Sequence, residues 1–561
     1  MPTNNLRSNT HRTGLYSLLL FVFFSALFIL LRSNDPLAAD GAFRCFSVFR
    51  DPRMAFAENN HALYPANIFV WTRLARFAGF NIASPQGFYS VAELMNCFAA
   101  AGCLTLFFQL SLMATLSNAV ALAVTFGLAL TRAFLLHATN ASEPMVAIFW
   151  SFLAVYLAAR TFKTASRWTA FFSGVFFALA MATYQTAVLF GPVAVLILWR
   201  SARPKSPSRA LPSRLLTLAA FGGGAAIGSI AIYGCIANFR LHSASAGATS
   251  ASVISGFFSD PGTVAYLNVS SSKLLNLPLG FLRNSYPVLV DFTGIRNFLR
   301  GSLPSVASVF FLLAAFTAFG VYYAFRIAGL WKVLESRTRT AILCGVVGVA
   351  FTLVPLLVWD PQYDKFWIQP LACLIFLLGI SFQALDSRFA RPFFLARVIP
   401  ALLLAGLLFN FSWVLRSHMS SIVELAEARR LSTLVARGDL VVGDWNGVSV
   451  LYHYAWLPPD TKFISFPSDA IRQGPRAILE LEQSIQTTLA SGGRVFFIGL
   501  LDNSKQSWDS FLGLRCGIPY SALDYYRTHS VPYASFETRY GAIVLKQLDL
   551  PRAYQSRVAT H

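Results

Sequence analysis

The residues best able to do chemistry lie in polar stretches between long apolar runs. Asp40, in AADGAF, follows the first such run by a few residues, with Arg44, Arg50 and Arg53 close behind and His61 and Tyr64 on the same segment. Glu143 opens a later apolar run, Gln185 sits at a break between two more, and Lys365 lies in the polar turn WDPQYDKFW. A carboxylate held at a membrane surface can take the proton from an attacking hydroxyl, and cations beside it can steady a departing phosphate. A cavity open to lipid and water would align the two reactants. Such chemistry draws on a group already activated on a lipid, so it needs no nucleotide-binding fold. Asp40 is the candidate base, and Arg44, His61, Tyr64, Glu143, Gln185 and Lys365 are candidate substrate contacts; no residue is assigned to a metal.

Each candidate also has a plainer reading. Asp40 could be a solvated loop carboxylate, with Asp35 and Asp51 as alternatives for the base. His61 could cap a helix, and Tyr64 and Trp71 suit interfacial packing. An acid at a helix start, as at Glu143, is favoured by the helix dipole, although an acid at membrane depth is equally a functional suspect. Trp359 and Trp367 read as belt residues, and Asp444 and Trp445 as structural.

The elements that must hold these residues are mostly membrane spans. The chain has 561 residues, of which 55% are hydrophobic and only 12% charged, against about 25% charged in soluble proteins. A net charge of +20 is spread between apolar runs rather than gathered in a basic tail or domain, which argues against nucleic acid. Seven cysteines lie far apart with no zinc spacing; Cys45 and Cys516, both in polar segments, are the pair that could bridge. A crossing helix needs about 20 apolar residues. Eleven runs qualify, at 15–31, 91–115, 118–137, 143–160, 168–184, 186–199, 214–238, 303–325, 338–358, 366–385 and 393–415.

Basic residues orient these spans. A cytoplasmic N-terminus puts the basic loops 160–167, 200–209, 326–339 and 386–397 inside, and the C-terminus outside. The external segment 32–90 departs from this pattern, since it carries Arg32, Arg44, Arg50, Arg53, Arg73 and Arg76. Either an anionic partner at the outer face or pairing with Asp35, Asp51, Glu58 or lipid headgroups accounts for them. Within that segment, 68–80 has the profile of a helix lying in the interface, with Trp71 and Phe77 at headgroup level. A second external segment, 239–302, is too long for a connector.

From about residue 416 the composition becomes that of a soluble domain. Strands are expected at DLVVGDW, TKFISF, RVFFIGL and YGAIVLKQL, alternating with helices, which predicts a small α/β domain. It has no P-loop or GxGxxG and reads as a lid or docking domain. The expected architecture is an all-α polytopic membrane bundle with this α/β domain appended: 1–14 cytoplasmic, 15–415 transmembrane, 416–561 extracytoplasmic, in a plasma (inner) membrane.

Five motifs, in order over residues 15–415, resemble the GT-C class of integral-membrane glycosyltransferases, and more narrowly its bacterial protein-mannosyltransferase-like and aminoarabinose-transferase-like members. AADGAF around Asp40 matches an acidic motif in the first external loop. HALYPANIFVWTRL, from His61, fits HxLYPxxxxxxRL, and NASEPMVAIFW begins a span with Glu143. MATYQTAVLFGPVAVLIL resembles a helix in which His usually stands where this chain has Tyr184, beside Gln185. WDPQYDKFWIQPL resembles a late WxPxxxxFWxxxL turn. Many relatives have two adjacent acids in the first loop, whereas Asp40 precedes Gly41, and one carboxylate is a poor cage for a divalent ion.

The resemblance implies an inverting glycosyltransferase moving a sugar from a polyprenyl-phosphate donor to an acceptor glycan, lipid or protein at the outer face, with Asp40 as base. Membrane lipid is the other implied partner; a divalent cation is not required. The alternative is a multi-pass transporter or lipid flippase of envelope glycan precursors, against which stand the absence of an evident internal repeat and the scarcity of charges at mid-membrane.

Overall fold

The computed structural model describes residues 3–32, 39–56, 61, 63–114, 116–201, 210–242, 271–285, 325–358, 361, 363–386, 423–444, 456–458, 460–538 and 541–549. α1 (Thr3–Leu30) is followed by two helices that carry too many polar groups to cross hydrocarbon, α2 (Ala39–Arg50) and α3 (Leu63–Phe77). α4 (Pro85–Met113) begins at a Ser-Pro step. Ser84 Oγ accepts from Gly87 N at 3.0 Å, and Pro85 brings no amide that would need a partner. α5 (Asn118–Ala129), α6 (Arg132–Ala138), α7 (Glu143–Thr164) and α8 (Arg167–Thr183) follow. A 3-10 turn over Gln185–Phe190 leads into α9 (Gly191–Ser201), and α10 (Ala210–His242) returns beside α8. α11 (Ser271–Ser285), α12 (Ser336–Thr352), α13 (Val354–Val358) and α14 (Ile368–Asp386) complete the described part of the bundle.

Among the described residues, six stretches of helix, in α1, α4, α7, α10, α12 with α13, and α14, are long and apolar enough to cross a membrane. The chain is a membrane protein. Of the eleven runs expected, 303–325 and 393–415 lie outside the described residues. The run 118–137 is not one straight helix: α5 and α6 meet at 71°, because Thr131 is extended and its Oγ accepts from Phe134 N, starting a new helix. The runs 168–184 and 186–199 part at Tyr184 into α8 and a 3-10 turn with α9, and neither is among the six stretches long and apolar enough to cross.

α8 and α10 approach through glycine. A Cβ on Gly174 would lie 2.0 Å from Phe221 O, and one on Gly224 would lie 2.0 Å from Phe171 O. With lipid tails as apolar as the side chains, such close approach is how helices gain contact in a membrane. α3 is amphipathic, with one face buried and the other exposed. Tyr64, Ile68 and Thr72 are buried in a core shared with Phe46 and Tyr89, while Arg73, Arg76 and Phe77 are exposed. Trp71 is tied to α4, its Nε1 donating to Val91 O at 2.7 Å.

The C-terminal part is a five-stranded sheet in the order β2-β1-β3-β5-β4, with β1 (Leu440–Gly443), β2 (Lys462–Ser465) and β3 (Val495–Ile498) parallel and β4 (Ser530–Thr538) and β5 (Gly541–Leu548) antiparallel at one side. β4 is not among the strands expected from sequence. Pro532 lies within it, and a proline demotes a run as a strand candidate; here it sits at the edge, where the register shifts between Pro532 and Ala534. Buried Asp439 fastens β1 to β3 by accepting from Ala436 N, Arg494 N and Arg494 Nη2, each at 2.8 Å. Burial opposes the Arg494 charge, but the hydrogen bond and charge of Asp439 outweigh it and hold the guanidinium above its usual range. Cys45 and Cys516 are both free and sit in different cores, so the bridge considered from sequence does not form.

Gly174→Val should force α8 from α10 and cost about 1–3 kcal/mol, as overpacking does. A Cβ on Gly223 meets nothing within 4 Å, so Gly223→Ala should leave the melting temperature unchanged or raised. Thermal melts of both variants in detergent, followed by size-exclusion profile, check the contrast.

Candidate active site

The first turn of α7 organises the polar centre of the bundle. Its N-cap, Ser142, makes no capping hydrogen bond, because its Oγ lies 2.5 Å from His137 Nδ1. His137 Nε2 is in turn 3.2 Å from Asp364 Oδ1, so one imidazole joins the end of α6, the start of α7 and the turn before α14. The break between α5 and α6 is what turns His137 into this position. Asn96 of α4 donates to Ser142 O at 2.6 Å, fixing the same corner from a fourth side.

Glu143 is 1% exposed, and two cations share its Oε1: Arg44 Nη1 at 3.2 Å and Lys365 Nζ at 3.7 Å. The trio formally carries one net positive charge. Lys365 also lies over the rings of Tyr363 at 4.8 Å and Tyr184 at 5.7 Å, where the aromatic faces favour an ammonium. Tyr184 stacks on His61, their centroids 5.2 Å apart. Burial, and then the Glu143 carboxylate, push the Tyr64 phenol well above its usual range, so it offers a neutral hydroxyl. Arg44, Glu143 and Lys365 thus meet directly, His61 joins them through Tyr184, Tyr64 lies within range of the Glu143 charge, and Gln185 follows Tyr184 at the start of its 3-10 turn.

Asp40 lies in the first turn of α2, and its side chain is outside the described residues. Its neighbour shows how α2 is seated: a Cβ on Gly41 would be 2.1 Å from Ala141 O and 2.8 Å from Ser142 Cα. Position 41 has no room for any side chain, and so none for a second acid beside Asp40. The backbone at residue 40 is thereby held beside the start of α7.

The arginines of residues 32–90 divide by task. Arg44 pairs with Glu143; Arg32 donates to Ser90 Oγ at 2.9 Å; Arg50 donates to Thr461 O at 2.7 Å; Arg73 lies over Phe69. Arg50, together with Trp456 packed on the core beneath α2, places the C-terminal domain at the same end of the bundle as Glu143. Sequence reasoning missed His137, Ser142 and Asn96. A signal existed for His137, since an ionisable group closing an apolar run is a functional suspect. Among the described residues, no three His, Cys, Asp or Glu side chains gather as a metal site would require.

No protein-family profile matches the chain, and no curated protein does. A crystal structure of ArnT from Cupriavidus metallidurans bound to undecaprenyl phosphate is similar over 95% of this chain and 99% of that one, at 10% identity and a TM-score of 0.54. The fold is GT-C-like. The same ArnT in its apo state aligns over 95% and 99% of the two chains, at 13% identity and a TM-score of 0.47. An apo oligosaccharyltransferase from Archaeoglobus fulgidus aligns over 94% of this chain and 74% of its own, at 8% identity and a TM-score of 0.49. In this GT-C-like chain, the Glu143 cluster is built from α2, α6, α7 and the turn before α14, elements separated by long stretches of sequence.

Burial, and secondarily the Glu93 carboxylate, hold the Cys45 thiol of α2 well above its usual range, so it should be inert to maleimide in the folded protein. Gly41→Val should lift α2 from Ala141 and make Cys45 react at least about tenfold faster as the thiol regains water. Mass-spectrometric mapping of maleimide adducts before and after the substitution reads this directly.

Proposed function

We propose that this chain is an inverting glycosyltransferase of the outer membrane face, moving a sugar from a polyprenyl-phosphate to an acceptor on a glycan, lipid or protein. The observation that carries the reading is the buried Glu143 carboxylate with Arg44 and Lys365 on one oxygen. This cluster stores two cations, with a net positive charge, at one end of an apolar bundle, where a lipid phosphate would arrive. The acceptor oxygen attacks the anomeric carbon as Asp40 takes its proton. The bond from that carbon to the phosphate oxygen breaks, and its electron pair leaves on the phosphate, which Arg44 and Lys365 receive. Attack opposite the leaving group inverts the anomeric centre. Tyr64, His61 and Gln185 line the approach to the sugar.

The fold shared with ArnT supports a transferase, and the undecaprenyl phosphate bound to that protein supports a polyprenyl-phosphate donor here. We assign residues 1–14 to the cytoplasm, 15–415 to the plasma-membrane domain and 416–561 to an extracytoplasmic domain that covers the site and docks the acceptor. The basic helix ends that carry Arg160, Lys163, Arg167, Arg200, Arg337 and Arg339, at the opposite end of the bundle from Glu143, support this orientation.

Purified protein in lipid nanodiscs, offered a panel of polyprenyl-phosphate sugars, should cleave one of them. Asp40→Asn should lower that turnover by about 100-fold or more, the usual worth of a general base. Lys365→Ala and Arg44→Ala should each lower kcat more than they raise KM, as expected for groups that meet charge developing on the phosphate. The reading fails if every donor stays intact under conditions where a control transferase is active, or if Asp40→Asn turns over as fast as the parent.

A further inference from the structure

A second feature lies at the other end of α7. Lys163 is twenty residues beyond Glu143 on the same helix, which corresponds to about 30 Å. There, α4, α7, α9, α12 and α14 part to leave a cavity of ≈ 140 Å³ lined by apolar side chains such as Phe107, Phe152, Val193 and Phe376. Cavities of about 150 Å³ with such walls stay dry and accept apolar ligands. Among the described residues, two charged ones line it, Lys163 and Arg337. Both are exposed, and neither forms an ion pair among the described residues. The helix ends on this side of the bundle carry Arg160, Lys163, Arg167, Arg200, Arg337 and Arg339 against Glu335 and Asp386.

An apolar slot with a cationic rim matches a ligand that is oily at one end and anionic at the other. We propose that the cavity holds a segment of an acyl chain of an anionic glycerophospholipid, whose phosphate rests on Lys163 and Arg337. Basic pockets between membrane helices take lipid headgroups in this way. A sugar-bearing phosphate seated here would be a helix length from Glu143, so the site suits a resident lipid rather than a reacting one. Its occupant would wedge α12 and α14 against α7, filling space that the side chains leave empty.

Native mass spectrometry of the full-length, delipidated protein tests this by titration with phosphatidylglycerol, phosphatidylcholine or a polyprenyl phosphate. One phosphatidylglycerol should bind at about tenfold lower concentration than phosphatidylcholine, in line with two basic contacts to an anionic headgroup. The double variant Lys163→Gln with Arg337→Gln should erase that preference. Ala341→Phe, which fills the cavity without changing charge, should abolish the adduct. If that variant does not fold, the charge variant still decides, since both of its residues are exposed. Equal binding of the two phospholipids, a preference that survives the charge variant, or displacement of phosphatidylglycerol by equimolar polyprenyl phosphate would each overturn the proposal.

Discussion

Glu143 sits almost without solvent at the head of a helix in an apolar bundle, so its charge must be met by partners rather than by water. A buried carboxylate stripped of its partners costs several kcal/mol, and more in hydrocarbon than in a wet interior. The helix dipole offers part of the compensation, and Arg44 and Lys365 offer the rest. This requirement reaches across the molecule. It draws α2 onto the start of α7, fixes the turn before α14 against both, and leaves His137 to bind Ser142 and Asp364 at the rim.

Close backbone approach serves the same end. Gly41 lets α2 touch Ala141, and Gly174 and Gly224 let α8 and α10 touch each other. These contacts carry no charge, yet they set the distances over which the charged groups act. An arginine pairs strongly with a carboxylate only when its planar fork is held in register. The seat of α2 therefore governs the electrostatics of the cluster as much as the charges do.

The two ends of the bundle are built on opposite plans. At one, cations are drawn inward onto a buried acid beneath the C-terminal sheet, with Arg50 bonded to carbonyls of that sheet's connection. At the other, cations remain exposed around an apolar cavity. Charge paired in the interior can act on a reacting group, whereas charge left at the rim is suited to holding a headgroup in place.

The sequence by itself determined much of this. Apolar runs announced the helices, because a span has no other way to satisfy its backbone in lipid. The alternation of strands and helices after residue 416 announced the α/β sheet, and residue types named Arg44, His61, Tyr64, Glu143 and Lys365 as candidates. Periodicity did not reveal β4, with its internal proline, or the break at Thr131, where a hydroxyl cap interrupts a run that hydropathy alone reads as continuous. Only the tertiary structure decided which of the six arginines in residues 32–90 faces Glu143, why residue 41 is glycine, and that His137 belongs to the cluster. Those facts depend on contacts between residues dozens to hundreds of positions apart, and local sequence carries no record of which distant partner a charge will meet.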